Sequence, residues 1–266
     1  MSKKLILGAV AFIIIIQLII ALQIKPDMSA IGTPPHKVKE IFGRSIPFNG
    51  VNVTTVTVSW GIMFFLIVVS IIINTRLRQV PGRTQMIFEI VIEFFDKLCR
   101  DTMGDKGHIF MPYVATLFLF ILCSNWIGIL PFSFIEEPTR DLNTTLGLGI
   151  IAFFVAHIAA ICYKGIFRYI ADYFEPMFEI KGVKIPNVLF FPINAIGELG
   201  KLVSHSFRLY GNILGGAIII QVISNLTRYM ILPIGLNLFF GLFVGAVQAF
   251  VFAMLALTYI AVLVEG

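Results

Sequence analysis

Between Asn194 and Gly216 the sequence reads NAIGELGKLVSHSFRLYGNILGG, and its polar members are spaced for one face of a helix. At about 100° per residue, Asn194, Glu198, Lys201, Ser204, His205, Gly211, Asn212 and Gly215 all fall within about 80° of Arg208. The opposite face is mostly Leu, Ile, Val and Phe. Arg208 sets the chemistry. An arginine at the centre of a membrane helix costs about 2.5–3.5 kcal/mol, and it cannot shed its proton because its pKa exceeds ~12. It needs an opposing carboxylate or a water-filled cavity. Glu198 is the nearby carboxylate on that face, but ten residues of helix place it roughly 15 Å away. The spacing therefore points to a carboxylate on another subunit, with snorkelling or a structural pair inside the bundle as the alternative. Gly211 and Gly215 form a small-xxx-small pair that lets a second backbone approach.

The last apolar stretch carries an answering face. On a uniform wheel Asn237, Gly241, Gly245 and Tyr259 fall within about 60° of Gln248. Two long helices with weakly polar faces can jointly line aqueous paths. For Gln248, an interhelical hydrogen bond with no transport role is the alternative.

Elements to position these groups follow from composition. Of 266 residues, 58% are apolar and 13% charged, with mean hydropathy +0.93. Soluble domains carry about twice that charge, which excludes a soluble enzyme and a disordered chain and leaves a multi-span membrane protein. The net charge of +5 is the excess expected of cytoplasmic loops, not of nucleic-acid binding. Apolar runs cover Leu5–Leu22, Val58–Ile73, Tyr113–Leu130 and Leu146–Tyr163. Two longer stretches, Asn187–Asn225 and about Ile234–Val264, exceed one bilayer thickness and must tilt, bend or break. Thr227, Arg228 and Pro233 mark the turn between them. Gln85–Arg100 alternates apolar and charged residues at helical spacing and reads as an amphipathic helix at the cytoplasmic interface. The expected fold is all-α and polytopic. It has about six helices, including two long, strongly tilted C-terminal helices forming a hairpin, plus the interfacial helix.

Residues 1–57 are expected to form an N-terminal helix, a retained helix being favoured over a cleaved secretory signal, and an irregular external loop with Gly and Pro; residues 58–266 are expected to form the membrane domain. Six crossings put twelve Lys and Arg on the side holding the N-terminus and six on the other, so both termini are expected in the cytoplasm.

Other chemistries find little support. Cys99, Cys123 and Cys162 are odd in number and widely spaced, so neither a disulfide framework nor a metal site follows. The spans carry no HExxH, GxSxG or paired catalytic Asp, and Gly200-Lys201 lacks the first glycine and the Ser/Thr of a phosphate-binding loop. No cofactor is expected. A stand-alone channel or secondary transporter, the main rival, would need its own midplane ion site.

At the charged stripe the sequence resembles subunit a of the F-type ATP synthases, of the bacterial type. The strongest match is Ser206-Phe207-Arg208-Leu209-Tyr210-Gly211-Asn212, with Glu198 and Lys201 at the family's spacing before it. Val80-Pro81-Gly82 with Gln85 and Glu89, Thr116–Pro131 with Asn125, Pro138–Thr145, and Gln248-Ala249-Phe250 extend the likeness over about residues 59–264. The resemblance implies a subunit beside a rotating c-subunit ring, held by peripheral-stalk b subunits in the bacterial plasma membrane. It implies two offset half-channels that reach the ring carboxylate, with Arg208 as the essential cation between them. Asn212 and Gln248 would hold its geometry, and nucleotide chemistry would reside on other subunits. Protons are the favoured ion, with sodium as the alternative. One departure stands out: Ala217 replaces an acid found in many relatives, and Gly241 a histidine found in some. The outer half-channel must then use other groups or water, with Asp141, Glu136, Glu137, His157 and Asn125 as candidates.

Overall fold

A computed structural model describes residues 37–38, 40–41, 44–45, 51–75, 82–129, 137–174, 178–180, 183–185, 190–226 and 235–265. The apolar run Leu5–Leu22, Glu136 and the turn at Thr227, Arg228 and Pro233 lie outside these residues. Helices carry the described structure. They are α1 (Val53–Thr75), α2 (Arg83–Met103), α3 (Met111–Trp126), α4 (Leu142–Lys164), the short α5 (Ile166–Asp172), α6 (Phe190–Leu226) and α7 (Gly245–Glu265). Strands are pairs of two or three residues: β1 (Lys37–Val38) with β4 (Val51–Asn52), β2 (Glu40–Ile41) with β3 (Arg44–Ser45), and β5 (Phe178–Ile180) with β6 (Val183–Ile185). Five stretches among the described residues are long and apolar enough to cross a membrane.

Contacts divide the chain into two compact units. One comprises Met1–Val68, Phe120–Asp141 and Gly211–Ala249; the other comprises Val69–Leu119, Leu142–Tyr210 and Phe250–Gly266.

In the second unit a core forms where α2, α3, α4 and α7 meet. Phe95, Cys99 and Met103 of α2 pack with Val114 and Ala115 of α3, Ala156 and Ala159 of α4, and Leu257, Ile260 and Val264 of α7. The alanines matter here. Lipid is as apolar as leucine, so helices associate by close packing, and small side chains permit it. The apolar arc of α2 is split between two surroundings. Phe95 and Cys99 are buried, while Met86, Ile87, Ile90 and Phe94 remain exposed. The amphipathic helix expected from the sequence thus gives part of its apolar surface to the protein and part to the surroundings. Its end is fixed by Gly104, whose φ of 60° lies in the left-handed region open to glycine. Asp96 accepts from Arg100 at 2.8 Å and meets His108 Nδ1 at 2.6 Å, joining α2 to the 3₁₀ turn Gly104–Phe110.

Gly165, at φ 81°, turns the chain from α4 into α5, and Lys164 Nζ donates to Asp172 at 2.8 Å to hold that turn. α6 has 37 residues, which is about 55 Å of helix. Pro192 sits in its first turn, where a missing N–H costs nothing.

In the first unit the last apolar stretch is not uniformly α-helical. Leu238–Val244 is π-helical, and the Gly245 N–H reaches Phe240 O, five residues back, as well as Leu242 O. This corrects the uniform wheel. One inserted residue rotates everything before it by about 100° relative to everything after, so Asn237 stands about 80° from Gln248 instead of beside it.

Candidate functional site

The charged stripe of α6 divides in two. Ser204, Arg208, Gly211 and Asn212 are exposed, while His205, Ser206 and Leu209 are buried. Glu198 Oε1 accepts from Lys201 Nζ at 2.5 Å, one helical turn on. The carboxylate nearest to Arg208 in sequence is therefore already paired. Among the described residues Arg208 makes no ion pair. On this apolar helix it is a fixed positive charge directed outward.

Behind the stripe, the second unit holds a cavity. Its walls are Gly149, Ala152, Phe153, Ala156 and His157 of α4, Glu198, Lys201, Leu202 and His205 of α6, and Tyr259 and Leu263 of α7. Gly149 allows α4 to approach α6, since a Cβ there would lie on the Ser206 hydroxyl, which itself donates to Leu202 O at 3.0 Å. The His205 ring lies 3.7 Å from the Phe252 ring and 5.6 Å from the Tyr259 ring, centroid to centroid. Both of its nitrogens are buried without a hydrogen-bond partner. Buried polar atoms of this kind call for a partner or water, and Glu198 and Lys201 stand in the same cavity wall.

His157 leads outward from the cavity. Its Nε2 is 3.4 Å from the Tyr173 hydroxyl, which is 2.8 Å from the Tyr169 hydroxyl. Asn194 Nδ2 donates to Tyr173 O at 3.0 Å and ties this group to the start of α6. These tyrosines escaped the sequence reading. Their i,i+4 spacing in IFRYIADY was the available signal, but nothing local connects them to a histidine sixteen residues upstream.

The first unit holds the other candidates. Asn212 Nδ2 donates to Gln248 Oε1 at 2.5 Å. Gln248 is buried, and its Nε2 has no hydrogen-bond partner. Asn125 is also buried. It donates to Gly245 O at 2.8 Å and accepts from Thr139 Oγ1 at 2.7 Å, so both ends of its amide are engaged in structure. Glu137 lies against Gly128, where a Cβ would meet its carboxyl group. Burial raises the Glu137 pKa from 4.5 to about 7, against the opposing pull of Arg140. Asp141 is half-buried. His157 thus lines the cavity with Glu198, Lys201 and His205, whereas Asp141 and Asn125 do not line it.

Five helical stretches long and apolar enough to cross a membrane, one of them carrying an unpaired arginine, define a multi-pass membrane protein, and comparison with known proteins gives the family. Residues 55–261 match the ATP synthase A chain family, and the chain belongs to it. The chain is 36% identical over 192 residues to ATP synthase subunit a of Acidothermus cellulolyticus, covering 70% of this chain and 67% of that one. It is 35% identical over 202 residues to the Geotalea daltonii subunit a, covering 76% and 83%. The Propionigenium modestum relative, described as sodium ion specific, is 36% identical over 219 residues, covering 77% and 72%. The chain is thus a component of the membrane sector of an F-type ATP synthase, with roles in ATP synthesis and ion transport.

Proposed function

We propose that this chain is the ion-translocating stator subunit of its ATP synthase, and that Arg208 is the essential cation between two half-channels leading to a carboxylate on the c-subunit ring. The observation that carries this reading is an exposed arginine on a helix long and apolar enough to span a membrane, with the carboxylate nearest to it in sequence already paired with Lys201. A fixed guanidinium favours the ionised form of a carboxylate passing it, and its charge repels a cation leaking directly between the paths. Each charge crossing 100 mV supplies about 2.3 kcal/mol to drive rotation.

The cavity of His157, Glu198, Lys201 and His205 serves as the inner half-channel. Its walls come from the middle of α4, the Phe190 half of α6 and the Glu265 end of α7. The excess of Lys and Arg in residues 163–189, which lead into the Phe190 end of α6, supports a cytoplasmic location for that side. His157, a candidate for the outer path from sequence, therefore goes to the inner one, and Ser204 lies beside Arg208 on the exposed face. The outer path uses Asp141 and Glu137, with Asn125 as support. Peripheral-stalk b subunits hold the chain against the ring in the bacterial plasma membrane. Both termini are cytoplasmic when the first helix is retained.

Protons are the favoured ion. Sodium is the second reading, supported by the relative described as sodium ion specific. The test is Arg208→Ala in inverted membrane vesicles. The complex should assemble, and ATP-driven ion pumping should be abolished; normal coupled pumping would sink the assignment. Pumping by the parent complex with and without millimolar sodium at alkaline pH separates the two ions.

A further inference from the structure

The π-helical turn of the last helix solves a facing problem. In the first unit the last helix meets α6 at two places: Gln248 accepts from Asn212, and Phe240 packs on Gly216, where a Cβ would lie 3.3 Å from the Phe240 Cβ. Asn212 and Gly216 are one turn apart and share a face of α6. Phe240 and Gln248 are eight residues apart, which on an uninterrupted α-helix puts them about 80° out of line. One inserted residue between them reduces that to about 20°. The bond from Gly245 N–H to Phe240 O is that insertion. In a plain α-helical register the two contacts would stand about 80° apart, against about 40° for Asn212 and Gly216 on α6.

Two neighbouring side chains grip this turn. Trp126 Nε1 donates to Leu242 O at 3.2 Å, and Asn125 Nδ2 donates to Gly245 O at 2.8 Å. Thr139 Oγ1 donates to Asn125 Oδ1 and fixes the direction of the amide. Close approach is secured by glycine, since a Cβ at Gly245 would stand 3.1 Å from the Asn125 Cβ, and one at Gly241 would stand 2.7 Å from Ile129 Cγ1. Side-chain donors entering a backbone ladder are a recognised cause of helix distortion.

We propose that Asn125 and Trp126 are positioning residues: their N–H groups hold the last helix in its i→i+5 register, and that register turns Gln248 toward Asn212. The role in transport rests on the function proposed above; the role in register does not.

The test uses the assembled complex with Cys99, Cys123 and Cys162 replaced by Ala. Two cysteine pairs are introduced in separate preparations, Gly216→Cys with Phe240→Cys and Asn212→Cys with Gln248→Cys. The first pair stands near the Cβ separation of a disulfide, about 3.5–4.5 Å, and is closed by oxidation; the second is closed with a short bifunctional reagent. With Asn125 and Trp126 intact, both pairs should link. With Asn125→Leu and Trp126→Phe together, the yield of one of the two pairs should fall at least about fivefold, from the loss of two interhelical hydrogen bonds. Unchanged yields in both pairs would overturn the proposal. Failure of the double variant to assemble, together with unchanged yields for Trp126→Phe alone, would also overturn it, because Asn125 would then be a folding residue only. ATP-driven pumping is measured in parallel on Asn125→Leu with Trp126→Phe, without introduced cysteines. Full pumping by this variant, in the face of a lost cross-link, refutes the tie to transport. Failure of the functional reading itself would show separately, as pumping by Arg208→Ala with both cross-links intact.

Discussion

The hydrogen bond from Asn212 to Gln248 lends itself to a double-mutant cycle. Asn212→Ala leaves Gln248 Oε1 without its donor, in a side chain that is 4% exposed and whose Nε2 already has no partner. Interhelical hydrogen bonds in membrane proteins average about 0.6 kcal/mol and reach about 1.7. At about 1.36 kcal/mol per factor of ten, those limits correspond to roughly 3-fold and 18-fold. The burial of Gln248 and the short 2.5 Å bond argue for the upper half of that range, while the exposure of Asn212 argues against its top. Each single variant, Asn212→Ala and Gln248→Ala, should therefore slow ATP-driven pumping about 7- to 10-fold through this bond. The double variant should be little slower than the slower single one, since the bond is lost only once. The assay is the initial rate of pumping in inverted vesicles, normalised to assembled complex. Rate losses that multiply in the double variant would show that the two residues act independently, and would refute the pairing as a functional unit.

Two further outcomes follow from the packing and the buried acid. Gly149→Ala places a Cβ on the Ser206 hydroxyl and should cost about 1–3 kcal/mol of packing; adding Ser206→Ala should recover most of the lost thermal stability of the purified complex, and no recovery would reject the contact. The carboxyl of Glu137 titrates at about 7 in the fold against 4.5 ordinarily, so its protonated form is the one the fold favours. That contribution is fully present below about pH 4.5 and is lost as pH rises through about 7. Thermal stability should fall over this window in the parent, and Glu137→Gln should flatten the profile; identical profiles would contradict the burial of this acid.

Much of this protein could be read from residue order, and the limits of that reading are instructive. The spans were legible because a 20-residue apolar run has few stable solutions outside a bilayer. The stripe on α6 was legible because that helix is regular, so spacing along the chain translates directly into facing. The same arithmetic failed on the last helix, where the π turn shifts Asn237 off the face of Gln248. No residue in Leu238–Val244 announces that turn; the donors that hold it, Asn125 and Trp126, lie more than a hundred residues earlier. His157 illustrates the same limit, since a lone histidine in an apolar helix has no meaning until its neighbours are known.

The sequence by itself determined a multi-pass helical membrane protein, the family and the unneutralisable cation at Arg208, because hydropathy, periodicity and ionisation are properties of single residues and their local spacing. The tertiary structure alone decided that His157 and His205 share one cavity and that the last helix is wound to present Gln248 to Asn212. Those facts depend on which helices touch and at what rotation. In a membrane the rotation is set by close packing and a few interhelical hydrogen bonds between residues far apart in the chain.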